Sequence, residues 1–252
     1  MLIYKDKVKY INFIIIRYGL TYFNEPYGKV KADVIREWQY SKKRYFSEEF
    51  HTLVIDLTRD IEGIYSEFEK NTKYEINRAK FRDNINIRTL NAAEQKKDFY
   101  GFYNAFAASK KLGPIGEKEF DLLIDNDMLK IRGAFYNDET LVLHSYVTAN
   151  KRARLMQSAS LFRDSSDHAF KNMVGRANRL LHWDDICYFR ENGYTVYDLG
   201  GIGIDKNNKD IMSINKFKEC FGGIPVKEYK SQIPLTLKGF VFLVCKKLLG
   251  KI

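Results

Sequence analysis

Asp198, Gly200, Gly201, Phe217 and Lys218 share one stretch, YDLGGIGIDKNNKDIMSINKFKECFGG at 197–223. A carboxylate, a pair of glycines and a lysine behind an aromatic residue suit acyl transfer. That chemistry needs an oxyanion stabiliser, a way to take a proton from the attacking group, and a groove for each reactant. Lys218 is the first candidate for the cationic role, meeting a phosphate or a developing oxyanion. The competing reading is a solvated lysine among Lys206, Lys209 and Lys216. Asp198 stands towards the end of a short strand, where α/β sheets hold ligands. It could orient an amine or a relay water, or it could be a turn aspartate satisfying backbone N–H groups. Gly200 and Gly201 allow positive φ or close substrate approach. As a phosphate loop, GGIGID lacks the GxGxxG pattern that leads into a helix.

A second group lies on a helical stretch: Arg176, Asn178, His182 and Trp183. Histidine titrates near neutrality and is a natural base; beside a tryptophan it is also commonly a packed residue. Asn178 and Arg176 precede it by about a turn or more and could face the same groove. Tyr146 and Gln157, on central strands, are candidates to line the cleft. Arg78, with Lys80 and Arg82, forms a basic cluster that reads either as a phosphate contact or as a solvated face.

The elements that must position these residues follow from patterning. Residues 8–16 and 18–23 read as strands, and 33–44 as a short helix. Residues 51–57 (HTLVIDL) read as a buried strand, with Thr58 as the N-cap of the helical segment that follows. A strand at 85–90 precedes helices at 92–109 and 117–126. Strands at 129–136, 140–148 and 153–160 are joined by Asn137-Asp138 and Asn150-Lys151 turns. A long helix covers 167–191, followed by a strand at 195–199, a helix at 211–220 and a strand at 226–229. The order is β-α-α-β-β-β-α-β-α-β.

The chain has 252 residues and a net charge of +10. That surplus favours a polyanionic partner, whether RNA, an anionic membrane or a phosphorylated substrate; an inert basic surface is the alternative. Cys187, Cys220 and Cys245 have neither disulfide nor zinc spacing, and the histidines add no metal-ligand pattern. No metal is expected. A reducing cytoplasm is the expected compartment, since the N-terminal segment does not read as a signal peptide. The apolar run at 240–245 is far short of the ~20 residues of a membrane span.

The element order resembles the GNAT acyltransferase fold, an α/β (α+β) architecture with a mixed central sheet flanked by helices and splayed after its fourth strand. Three segments resemble the Fem-type (FemAB-like) branch: LVIDL…YEINRAKFRDNINI, GRANRLLHWDDICYFRENGY and YDLGG…INKFKECFGG. The likeness covers residues 52–230. It leaves 1–51 as a strand-rich extension and 231–252 as a basic amphipathic tail that reads as an interfacial helix or as a packed final helix. The resemblance implies attack by an amine on an activated acyl carbonyl, with the F-K pair at the donor side of the cleft. It implies an acyl or aminoacyl group moved to an amino group of a nucleotide- or lipid-linked envelope precursor, a peptidoglycan stem peptide or a polysaccharide amino sugar. No cofactor stays bound, and the donor is aminoacyl-tRNA or an acyl-CoA. GNAT enzymes that use acetyl-CoA carry a glycine-rich loop before the long helix; here SLFRDSSDHAFKNMVGRAN has no glycine until Gly175. The bridge-forming Fem enzymes have two modules, and this chain has one. An ordinary acyl-CoA N-acyltransferase and a non-catalytic module binding RNA or an anionic polymer remain the alternatives.

Overall fold

The computed structural model describes residues 1–8, 14–91, 94–161 and 167–250. The chain divides into two compact units, Leu53–Ile224 and Met1–Thr52 with Pro225–Ile252. The extension and the tail of the sequence reading are therefore two parts of one unit, which also takes in residues 225–230.

In the unit Leu53–Ile224 the strands are β5 (Asn86–Thr89), β6 (Leu129–Tyr136), β7 (Glu139–Ala149), β8 (Arg152–Ser160) and β9 (Val196–Gly201). Their lateral order is β9-β8-β7-β6-β5, and β4 (Phe46–Asp56) ends beside β9. Neighbours from β5 to β8 are antiparallel, and β8 and β9 are parallel. The two hairpin turns fall where the sequence puts them. Asn137 and Asp138 have φ of 48° and 64°, and Asn150 and Lys151 have 44° and 57°. Two successive positive φ values are what a tight two-residue hairpin requires.

The helices of this unit are α1 (Ile61–Ser66), α2 (Lys70–Phe81), α3 (Tyr100–Ser109), α4 (Glu117–Asp125), α5 (His168–Glu191) and α6 (Lys209–Glu219). A π-helical turn, Gln95–Phe99, leads into α3, and the predicted start of that helix at 92–93 lies outside the described residues. The N-cap of α1 is Asp60, which accepts from the Gly63 N–H at 2.9 Å. Thr58 does not cap it, because the Asp56 carboxylate takes both its N–H and its hydroxyl. The long helix α5 buries Val174, Ala177, Leu181, Ile186 and Phe189 in the same core as Leu141, Val142 and Tyr146. Each large apolar side chain buried there stabilises the unit by about 1.5–3 kcal/mol relative to exposure.

In the other unit β1 (Leu2–Val8) and β2 (Ile14–Tyr22) are antiparallel, β2 and β3 (Val34–Tyr40) parallel, and β3 and β10 (Ile224–Pro234) antiparallel. The strand expected at 8–16 is instead the end of β1 and the start of β2, with 9–13 outside the described residues. The helix expected at 33–44 is β3. Val34, Ile35, Trp38 and Tyr40 suit a strand paired on both sides, and that pairing overrides the helix formers between them.

The last helix, α7 (Leu237–Leu248), buries Phe242 and Leu243 against Ile16, Tyr18, Val34 and Phe46. Its approach depends on Gly239, where a Cβ would lie 2.0 Å from the Asp33 carbonyl oxygen. Asp33 also anchors the helix chemically. Its carboxylate accepts from the Thr236 hydroxyl at 3.1 Å and pairs with Lys238 at 2.9 Å. Among the described residues no helix is long and apolar enough to cross a membrane.

Candidate active site

β8 and β9 share register only over Arg152↔Val196, Ala153↔Tyr197 and Arg154↔Asp198. β8 then continues to Ser160 and β9 to Gly201 with no further pairing between them among the described residues. A wedge opens beyond Leu155 and Leu199, at strand ends of the kind where α/β sheets hold ligands. Gly200 stands at its mouth with φ of +79°, and a Cβ there would meet the Leu155 carbonyl oxygen at 2.8 Å. Both the backbone conformation and the space therefore demand glycine.

Lys218 of α6 reaches this mouth, its Nζ donating to the Gly201 carbonyl oxygen at 2.6 Å. The loop before α6 is tied down for the purpose. Asn208 caps the Asp210 and Ile211 N–H groups, and Asn215 accepts from the Gly203 N–H and donates to its carbonyl. Burial lowers the Lys218 pKa to about 8, with Asp198 opposing the shift and Arg154 adding to it. Such a lysine is mostly charged at neutral pH and still exchanges its proton readily. An ammonium has three donors. Among the described residues only Gly201 uses one, so two remain for a reacting oxygen.

Asp198 is fully buried and held in place. Arg152 donates to its Oδ2 from Nε at 3.1 Å and from a terminal nitrogen at 2.6 Å, and the Gly200 N–H donates to its Oδ1 at 2.8 Å. The turn role and an ion pair therefore occupy this carboxylate together, and through Gly200 it fixes the backbone on which Lys218 rests.

Behind the wedge lies a buried polar chain. His182 Nδ1 is 2.7 Å from the Tyr197 hydroxyl, which is 2.8 Å from the Tyr146 hydroxyl, which donates to Asp185 Oδ2 at 2.5 Å. His144 Nδ1 meets the same oxygen at 2.8 Å, and Arg132 Nε donates to Asp185 Oδ1 at 2.6 Å. Because Tyr146 donates to Asp185, Tyr197 donates to Tyr146 and His182 donates through Nδ1. Nε2 of His182 is then the basic nitrogen. Burial, then His144 and Lys218, push the His182 pKa well below its ordinary value, so the ring is neutral. Burial and Asp185 raise both tyrosines well above theirs.

No protein-family model and no curated protein matches this chain. Solved structures do. FemX superposes with a TM-score of 0.58 at 12% identity, over 77% of this chain and 63% of FemX. The C-terminal domain of an Agrobacterium fabrum protein assigned as a lysylphosphatidylglycerol synthetase gives 0.53 at 12% identity, over 87% of this chain and 74% of the other. A conserved Bacteroides thetaiotaomicron protein of unknown function gives 0.50 at 8% identity, over 75% and 63%. The fold is that shared with FemX and with this synthetase domain. This chain spans less than two thirds of FemX's length.

Within that Fem-like fold only some of the residues singled out from sequence come together. Lys218, Gly200 and Gly201 meet at the wedge, with Asp198 beneath them. Phe217 packs on His182 at 5.7 Å and on Phe221 at 5.5 Å, and the Arg179 guanidinium lies 5.1 Å from its ring. Tyr146, Asn178 and His182 belong to the buried chain, Asn178 through His144 Nε2 at 2.8 Å. Gln157 bonds to Ser145 on the neighbouring strand. Trp183 packs instead on Tyr65 and Phe68. Arg176 and Arg78 converge on Asp83, at 2.5 and 4.0 Å, where they tie α5 to α2.

Sequence reasoning missed Arg152, Arg132, His144, Asp185 and Tyr197. A signal was available for the helical members. Asn178, His182 and Asp185 are spaced i, i+4, i+7 and so share one face of α5, a polar stripe among buried apolar residues. His144 and Tyr146 alternate on β7 and so share a face of the sheet.

Proposed function

We propose that this chain transfers an acyl or aminoacyl group to an amino group of a cell-envelope precursor, a peptidoglycan stem peptide or an amino sugar of a surface polysaccharide. The observation that carries this reading is the Lys218 ammonium, held by Gly201 at the open end of the β8–β9 wedge. The amine attacks the donor's carbonyl carbon, forming the C–N bond and an oxyanion. The two free N–H donors of Lys218 stabilise that charge. Collapse breaks the bond to the donor's leaving oxygen or sulfur, which takes up the proton the amine gives up. Asp198 acts through Arg152 and Gly200 to hold the mouth in shape, and the neutral His182 positions Phe217 and Tyr197 behind it.

The fold shared with FemX, and with a domain of a protein whose name describes making an aminoacylated lipid, supports aminoacyl transfer. An aminoacyl-tRNA donor fits better than an acyl-CoA. A CoA pyrophosphate would need the free N–H groups at the start of α5, and there Asp167 already takes the Ala169 N–H at 2.7 Å with a negative charge of its own. Residues 162–166, the rest of that loop, lie outside the described residues. The +10 net charge suits tRNA and a phosphorylated precursor alike. Membrane contact through α7 belongs to the same reading, with Leu237, Phe240, Val241 and Leu248 exposed along it.

Lys218→Ala tests the assignment. Transfer from labelled aminoacyl-tRNA to a nucleotide- or lipid-linked precursor should fall by about 10²–10³-fold. Unchanged turnover in a folded variant would remove Lys218 from the mechanism.

A further inference from the structure

The unit formed by Met1–Thr52 and Pro225–Ile252 contains a cavity of about 490 Å³, within the range of small-ligand sites. Arg36 on β3 is the register partner of Gln232 on β10. One step along the same face, the Lys230 ammonium lies 4.7 Å from the Trp38 ring. Lys246 of α7 closes over this block, its Nζ donating to Gln232 Oε1 at 3.1 Å. All five of these side chains line the cavity.

Three of the five are cations, and two of those are not neutralised. Arg36 donates to the Tyr4 hydroxyl at 2.7 Å and stacks 4.3 Å from the Tyr18 ring. Lys246 has the Gln232 amide oxygen. Among the described residues neither has an ion-pair partner. Two carboxylates also border the cavity. That of Glu37 is engaged by Arg44 and Tyr27, and that of the exposed Glu48 acts on Lys246 only from beyond pairing distance. Burial first, and the Arg36 charge second, hold the Lys246 pKa below its ordinary value. Like charges gathered in a half-buried cavity are stabilised by an anion bound between them.

We propose that this cavity binds a phosphate ester, its phosphate or pyrophosphate group gripped by Arg36 and Lys246 with Lys230 beside it. An arginine fork with flanking ammonium groups matches the shape and multiple charge of phosphate better than a single carboxylate. The cavity is larger than a lone phosphate needs, which leaves room for the alcohol it is esterified to. The site involves none of the wedge residues and stands or falls independently of the transfer reaction. The same phosphate chemistry is offered by a soluble nucleotide or by a lipid headgroup, and the exposed Leu248 and Leu249 follow Lys246 and Lys247 in the chain.

Calorimetric titration of the full chain with inorganic pyrophosphate at 0.15 M salt tests the proposal. Saturable binding is expected, weakened about tenfold or more by Arg36→Gln and by Lys246→Gln, and unchanged by Lys118→Gln on α4 of the other unit. Should Arg36→Gln melt early through loss of its stacking on Tyr18, Lys246→Gln alone decides. Vesicles of phosphatidylglycerol and of phosphatidylcholine then separate the sources. Pyrophosphate that displaces the protein from phosphatidylglycerol identifies a lipid headgroup as the ligand; pyrophosphate binding that leaves vesicle binding untouched identifies a soluble phosphate ester. Absence of saturable pyrophosphate binding, or equal affinity in the wild type and Lys246→Gln, overturns the site.

Discussion

A lysine whose pKa is lowered from 10.5 to about 8 is less stable charged in the fold than out of it. The unfolded chain therefore binds more protons than the folded one between those two values, and this group's contribution to stability rises with pH across that window. Below pH 8 the penalty is fully present. Lys218→Met removes it but also leaves the Gly201 carbonyl without its donor, a loss of about 1–3 kcal/mol. The informative readout is thus the difference between wild type and variant. By thermal melting, wild-type stability should gain on Lys218→Met as pH rises from 8 to 10.5 and show no trend between them from 6 to 7.5. Asp198 behaves differently, because its partner is buried with it. Asp198→Asn removes the carboxylate paired with the buried Arg152 and should cost about 3–5 kcal/mol in urea unfolding. Lost turnover with an unchanged midpoint would instead give the carboxylate a direct part in the chemistry. Asp198 and Lys218 were legible in the sequence because they sit near each other in one stretch. Arg152 and His144 were not, since only the pairing of β7, β8 and β9 with α5 brings them to their partners.

At the level of elements, the wedge depends on how β9 leaves β8. Gly200→Ala would place a Cβ against the Leu155 carbonyl at 2.8 Å in a left-handed backbone. We expect a loss of about 2–4 kcal/mol of stability and a lower kcat/KM, as the mouth that carries Lys218 is displaced. A wild-type kcat/KM would show that the mouth tolerates the shift. The elements from β5 to α6 were readable because alternation, hairpin turns and one long amphipathic helix each declare themselves locally. β3 did not. Its Arg36 and Glu37 favour helix until β2 and β10 take up its hydrogen bonds on either side, and β10 lies nearly the whole chain away in sequence. The misplaced cap has a local cause: Thr58 is a good N-cap by type, but Asp56, two residues before it, takes its N–H and hydroxyl.

For the whole molecule, α7 is apolar on two sides. Phe242 and Leu243 are buried, whereas Leu237, Phe240, Val241 and Leu248 face outward, and Lys247 lies 4.8 Å from the exposed Tyr45 ring. Apolar side chains and aromatic–lysine pairs of this kind suit the interface of an anionic bilayer. Leu237→Glu with Leu248→Glu should reduce flotation with phosphatidylglycerol vesicles several-fold while leaving the melting temperature nearly unchanged, because exposed positions carry little stability. Equal flotation would free α7 of any membrane role.

The composition of the first unit, Met1–Thr52 with Pro225–Ile252, also sets an order of events on the ribosome. Its opening strands emerge first and wait while Leu53–Ile224 is made and folds. Until β10 arrives, β3 offers one bare edge, rich in Val34, Ile35, Trp38 and Tyr40, to any strand that meets it. Nascent chains stalled after residue 224 should accordingly be strong chaperone clients. Emergence of residues 225–252 should end that dependence.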